Sequence, residues 1–267
     1  MSSALFPKLT HTQNQPHGPA GTLLDYTALQ AAEAQLASLY QHNQPFSHIV
    51  IDDFLPEATL ARLLAEYPQD QSLPIWNEAT HKDKQTGEYV QKDKRNIRDL
   101  MSMPPTYRQL IWELNSHYFL DFLAGMTGIA DLIPDPKLRG AGIHQIGRGG
   151  FLKVHADFAS HRDFGLDRRL NFLLYLNQDW LQEYGGELEL WDPAMQGPPK
   201  RVLPILNRCV VFSTTATSFH GHPKPLTCPE GVYRKSLALY YYTNGRPAGE
   251  AEPGFATLWQ DVPDAYR

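Results

Sequence analysis

Apolar positions along this chain change their period near its middle. From Tyr26 to Tyr40, the residues Leu29, Ala32, Leu36 and Leu39 recur at steps of three and four, which predicts an amphipathic helix. The run HIVIDDFL at 48–55 is short, β-branched and apolar, and predicts a strand. A second helix is expected from Pro56, whose fixed φ suits a first helical turn, to about Tyr67. Between 70 and 99 the periodicity fades and charges of both signs crowd the chain. Two readings stand side by side there: a solvated surface loop, or a mobile lid with Trp76, Tyr89 and Arg95 as ligand contacts. Helical spacing returns over 105–125 through Leu110, Ile111, Leu114, Tyr118 and Phe122, with Gly125 and Gly128 ending it.

Beyond Pro134 and Pro136 the candidate elements are strands: 140–146, 151–157, 169–177, 186–191, 200–204, 208–213, 217–222 and 232–243. Short strands separated by Gly- and Pro-rich turns suit a double-sheet jelly roll, a double-stranded β-helix. The expected fold is mainly β with helical additions, the N-terminal helices packed as a layer on the barrel. Residues 1–21 are polar and rich in Pro, Gly, His and Gln, and read as a flexible arm, disordered or loosely docked, whose His11 and His17 face solvent. Residues 22–267 then form one domain: a helical lead-in 22–135, a jelly-roll core 136–247 and a C-terminal extension 248–267. The helices need the sheet to cover their apolar sides, so no domain boundary is placed at 135.

Composition narrows the function classes. A length of 267 residues is ordinary for one jelly roll with helical additions, and a net charge of -5 argues against nucleic acid as a bulk electrostatic partner. Cys209 and Cys228 make neither a disulfide framework nor a zinc spacing. The opening MSSALFPKLT lacks a basic stretch followed by an apolar run, and no apolar run is long enough to span a bilayer. A cytoplasmic protein without membrane or nucleic-acid partners, monomeric or homodimeric, is expected.

Candidate chemistry lies in the strands. His155 and Asp157 are two apart, so on a strand they leave the same face. A histidine from a distant strand, His220, would complete two imidazoles and a carboxylate on one side of a metal, the facial triad of non-haem Fe(II) oxygenases. His222 shares the face of His220 and alternation does not separate them. His144 and His161 read as polar pocket or surface residues. Zinc could also bind such a set, and the affinity order favours it. Arg234 tips the balance toward an acid-binding site, because a guanidinium on a strand behind the metal can grip a carboxylate with two parallel hydrogen bonds. Arg234, Ser236, Ala238 and Tyr240 alternate onto one face.

The runs HQIGRGGFLKVHADF, RRLNFLLYLN, EYGGELELWD, NRCVVFSTTATSFHGHP and YRKSLALYYYTN resemble the 2-oxoglutarate-dependent Fe(II) dioxygenases, nearest the branch of prolyl 4-hydroxylase catalytic domains. The resemblance covers about 139–247 motif by motif and implies His155, Asp157 and His220 as iron ligands. His220 is preferred over His222 because it directly precedes Gly221, as in the family's motif. Arg234 is implied as the holder of the distal carboxylate of 2-oxoglutarate, with Ser236 as its hydroxyl helper. Where those hydroxylases usually carry a tyrosine, three residues before the first ligand, this chain has Leu152; either Gln145 or His144 takes over that contact, or the cosubstrate is held by fewer bonds. Fe(II), 2-oxoglutarate and O2 are the implied cofactors, with ascorbate as an optional reductant. The implied reaction hydroxylates an unactivated C–H of a peptidyl residue or a small amino-acid-type substrate, releasing succinate and CO2. The alternatives are a non-redox, cupin-like binding protein and a zinc-dependent enzyme on the same barrel. Arg148, Arg162, Arg168 and Arg169 flank the metal motif as candidates for an acidic substrate, and Trp180, Tyr184 and Trp191 as a groove or as sheet packing.

Overall fold

Asp25 begins the first helix: its carboxylate accepts a hydrogen bond from Ala28 N at 2.9 Å, meeting a donor that the first turn leaves unpaired. The computed structural model describes residues 6–11, 21–247, 250 and 256–266. In chain order the elements are α1 (Tyr26–His42), β1 (His48–Ile51), α2 (Glu57–Glu66), β2 (Asn77–Glu78), β3 (His81–Lys82) and β4 (Tyr89–Ile97). Then come α3 (Pro105–Leu114), α4 (His117–Thr127), β5 (Ile133–Pro134), β6 (Gly142–Ala156), β7 (Asp167–Tyr175) and β8 (Leu188–Leu190). The chain closes with β9 (Lys200–Val202), β10 (Cys209–Ser213), β11 (His220–His222), β12 (Arg234–Thr243) and β13 (Leu258–Gln260). No helix among the described residues is long and apolar enough to cross a membrane.

The strands hydrogen-bond in the order β1-β10-β7-β12-β6-β11-β8-β9, all antiparallel. This is a nearly closed jelly-roll barrel with helices laid on it, as expected. β6 joins its two walls. Residues 142–146 pair with β12 and residues 152–155 with β11, so one strand passes from one sheet to the other. The sequence suggested two strands here, 140–146 and 151–157; the glycines between them make a bend instead of a turn. Gly149 takes φ +78, and a Cβ on Gly150 would stand 2.5 Å from Ile146 Cγ2.

Three other expectations change. The helix read over 105–125 is two helices, because Ser116 stops one and caps the next: its hydroxyl donates to Glu113 O at 2.7 Å and accepts from Phe119 N at 3.4 Å. Gly125 lies inside α4, and only Gly128, in the left-handed region, ends it. The polar stretch 70–99 is not one loop either. Its second part is β4, nine residues paired along β6 from Ile97↔Ile143 to Gln91↔Leu152. The strand at 217–222 shortens to His220–His222, its earlier residues forming a turn in which Ser218 Oγ accepts from Thr215 N.

The main core lies between helices and sheet. Leu29, Leu36, Tyr107, Phe119 and Leu123 meet Phe172, Leu174, Leu237, Leu239 and Tyr241, all buried. Each such side chain contributes roughly 1.5–3 kcal/mol through removal of apolar surface from water. The arm is held in part. The backbone at Lys8 forms an isolated parallel β-bridge with Asp52, Leu9 is buried, and His11 bonds Asp25 Oδ2 and Asp53 O, so His11 does not simply face solvent; His17 lies outside the described residues.

Candidate active site

The bend in β6 sets the site. His155 stands directly opposite His220 across the β6–β11 ladder, with ring centroids 4.5 Å apart. Asp157, just past the end of β6, turns its carboxylate between them. Its Oδ1 is 3.6 Å from His155 Nε2 and its Oδ2 is 3.4 Å from His220 Nε2. The donor atoms of these three residues lie within 4.8 Å of one another, the only such His/Cys/Asp/Glu grouping among the described residues.

Backbone carbonyls fix the tautomers. His155 Nδ1 is 2.9 Å from Lys153 O, and His220 Nδ1 is 3.0 Å from Ser218 O. A carbonyl only accepts, so each Nδ1 carries a hydrogen and Nε2 is the nitrogen that each ring turns toward Asp157. Burial pushes His220 down to about 4, with His155 adding to the effect and Asp157 opposing it, so the ring is neutral at pH 7. Burial alone would resist ionisation of Asp157. Arg168, with His220 and His155, outweighs it and holds the carboxyl well below the usual range.

Asp157 has dedicated support. Asn171 Nδ2 donates to Asp157 Oδ2 at 2.7 Å, and Arg168 NH2 reaches the same oxygen at 3.1 Å. Arg168 also donates through Nε and NH2 to Asn171 Oδ1, and its guanidinium lies 3.6 Å over the Tyr240 ring. Trp259, on β13 opposite His155, puts its ring 5.0 Å from that imidazole.

Arg234 enters from the start of β12 on the inner face. Its Nε donates to Gly186 O at 2.7 Å and its NH2 to the Tyr175 hydroxyl at 3.2 Å. A Cβ on Gly186 would lie 2.9 Å from Arg234 Cδ, so this glycine gives the arginine its passage. Arg234 and Ser236 line the same cavity of about 260 Å³ as His155, Asp157 and His220. His222 lines it too, with neither ring nitrogen bonded, and burial keeps it neutral.

Gln145 does not enter this cavity. Alternation along β6 turns His144 inward and Gln145 to the other face, where it bonds the Tyr67 hydroxyl and Gln71. Leu152 is inside, opposite His222. Of the suggested lid contacts Trp76, Tyr89 and Arg95, none lines the cavity; Gln91, Lys94 and Asn96 of β4 do. Arg148 caps the carbonyls of Thr227 and Cys228, Arg169 pairs with Glu250, Arg162 is exposed, and His161 is buried near Asp135. Trp180 and Tyr184 pack on each other, and Trp191 is fully buried. Sequence reasoning missed Asn171, Tyr175 and Lys94. The available signal for Asn171 was a lone amide in the apolar run LNFLLYL.

Residues 141–242 match the sequence model of the 2OG-Fe(II) oxygenase superfamily. These residues form a 2OG-Fe(II) oxygenase domain. Mouse prolyl 3-hydroxylase OGFOD1 is 33% identical over 86 residues, 31% of this chain and 15% of that protein, so the chain matches only a small part of its relative. Among solved structures, a prolyl hydroxylase from Trichoplax adhaerens, in complex with a hypoxia inducible factor peptide fragment, aligns with TM-score 0.57 and 15% identity. That alignment covers 89% of this chain and 100% of the other. A Pseudomonas putida prolyl-4-hydroxylase aligns with TM-score 0.54 and 18% identity over 78% of this chain and 99% of its own. At these identities the likeness is one of fold. The oxygenase family uses Fe(II), 2-oxoglutarate and O2, and the residues fit that chemistry. Two Nε2 atoms and an ionised carboxylate converge, and a buried guanidinium faces the same cavity.

Proposed function

We propose that the oxygenase hydroxylates an unactivated C–H bond of a peptidyl residue, with proline as the leading candidate, and consumes 2-oxoglutarate in doing so. The observation that carries this reading is the meeting of His155, Asp157, His220 and Arg234 in one cavity. Bound Fe(II), with 2-oxoglutarate and O2, supplies the oxidation of the C–H bond, with succinate and CO2 released.

The protein's part is positioning. His155 and His220 would each give Nε2 and Asp157 a carboxylate oxygen, occupying one face of an octahedral ion and leaving the other for small molecules. Arg168 keeps the Asp157 carboxylate ionised, and the Asn171 amide aims it. Arg234 would hold the distal carboxylate through charge-assisted bonds, beside the hydroxyls of Tyr175 and Ser236. Leu152, Leu173, Leu188 and Phe212 give the cavity its apolar wall. The names of the mouse and Trichoplax proteins support a prolyl, peptide-borne substrate.

The test is incubation with Fe(II), 2-oxoglutarate and O2 against a library of proline-containing peptides, with free amino acids in parallel. A gain of one oxygen atom on a peptide, matched mole for mole by succinate, is expected. Oxygen gained only by free amino acids would reject the peptide substrate. Failure of every candidate, with no succinate, would reject the hydroxylase reading.

A further inference from the structure

Lys94 has no part in the chemistry so far, yet it stands inside the cavity. In β4 it lies opposite Ile146 of β6, and Ile146 lies opposite Arg234 of β12. Residues in one such row share a face of the sheet, and all three line the cavity. Strands are about 4.8 Å apart, which puts the Lys94 and Arg234 backbones about 10 Å from each other. Lys94 and Arg234 therefore border the cavity from strands on either side of Ile146.

The charge on this wall is lopsided. Lys94, Arg168 and Arg234 face a single carboxylate, Asp157, and Arg168 already holds it at 3.1 Å. Lys94 makes no ion pair or hydrogen bond with these groups and feels Asp157, Arg234 and Arg168 only through space. Burial brings its ammonium down to about 8, Asp157 working against that and the two arginines with it. Nearby, His144 Nε2 and both His222 nitrogens are buried without a partner. Such polar atoms around a cavity call for a polar ligand, and two unpaired cations across one apolar side chain call for an anion.

We propose that Lys94 is a second holder of the cosubstrate's distal carboxylate, closing on it from β4 as Arg234 does from β12. The inference rests on the proposed use of 2-oxoglutarate at this site. It gives the lead-in segment, outside the matched 141–242, a direct part in cosubstrate binding.

The experiment is an anaerobic titration of the Fe(II)-loaded protein with 2-oxoglutarate, read by the weak visible band of the chelate. A parallel titration uses 2-oxovalerate, which has the same keto-acid end but a methyl group in place of the far carboxylate. Lys94→Met is expected to raise the dissociation constant for 2-oxoglutarate at least about tenfold, the loss of one charge-assisted contact. Its response to 2-oxovalerate should match the wild type, as should its affinity for Mn(II) alone. Lys94→Arg should stay within about threefold of the wild type for 2-oxoglutarate. Affinity of Lys94→Met for 2-oxoglutarate within twofold of the wild type, or an equal loss for both acids, would overturn the assignment. A wild-type protein that develops no band would overturn the use of 2-oxoglutarate itself, a separate failure.

Discussion

An imidazole serves as a ligand when one nitrogen is tied up and the other left free, and two backbone carbonyls do this for His155 and His220. The carboxylate is governed differently, through Asn171, which bonds Asp157 with its amide and Arg168 with its carbonyl oxygen. Asn171→Ala should lower metal affinity about 10- to 100-fold, the usual effect of losing a group that orients a ligand. It should also cost about 1–3 kcal/mol of stability, because buried donors of Arg168 lose their acceptor. Mn(II) binding followed by electron paramagnetic resonance, with urea unfolding alongside, checks both; unchanged metal binding would remove Asn171 from its positioning role. His155 with Asp157, and Arg234 with Ser236, could be read from the sequence because residue type and even spacing along a strand define which face each pair shares. Asn171, Tyr175 and Lys94 could not, since each matters through a neighbour on another strand.

β6 and β11 bring the two imidazoles together, and the closeness of these strands depends on Gly221. A Cβ there would stand 2.9 Å from Leu152 O, 2.9 Å from Lys153 O and 3.0 Å from Val154 Cα, all backbone atoms of the opposite strand. Gly221→Ala must therefore push β11 away from β6 and carry His220 from His155. Metal affinity should fall at least about tenfold, with a stability loss of about 1–3 kcal/mol from overpacking. Calorimetric metal titration of a variant whose circular dichroism is unchanged tests this, and wild-type affinity would refute the close-approach reasoning. The strands of the barrel were legible because short apolar runs such as CVVFS and SLALYYY lie between Gly- and Pro-rich turns. β4 was not, because one of its faces meets a polar cavity and the other solvent, so Gln91, Lys94 and Asn96 look like surface residues in sequence. The break between α3 and α4 was hidden as well, since apolar spacing continues through it and only the Ser116 hydroxyl marks the cap.

Across the molecule, helices from the lead-in cover one sheet while the cavity opens within the barrel, so stability and chemistry occupy different sides of β7 and β12. Phe172, Leu174, Leu237 and Leu239 belong to the helix-facing core, whereas Asn171, Leu173, Arg234 and Ser236 face the cavity. This alternation lets polar and charged groups gather in the interior without breaking the core. The deciding measurement is anaerobic: the protein is given Fe(II), then 2-oxoglutarate, and its visible absorption is recorded for the wild type, Asp157→Ala and Arg234→Met. A saturable band in the wild type, absent from Asp157→Ala and shifted to much higher 2-oxoglutarate concentration in Arg234→Met, is the predicted result. A band of equal strength and midpoint in all three proteins would contradict it.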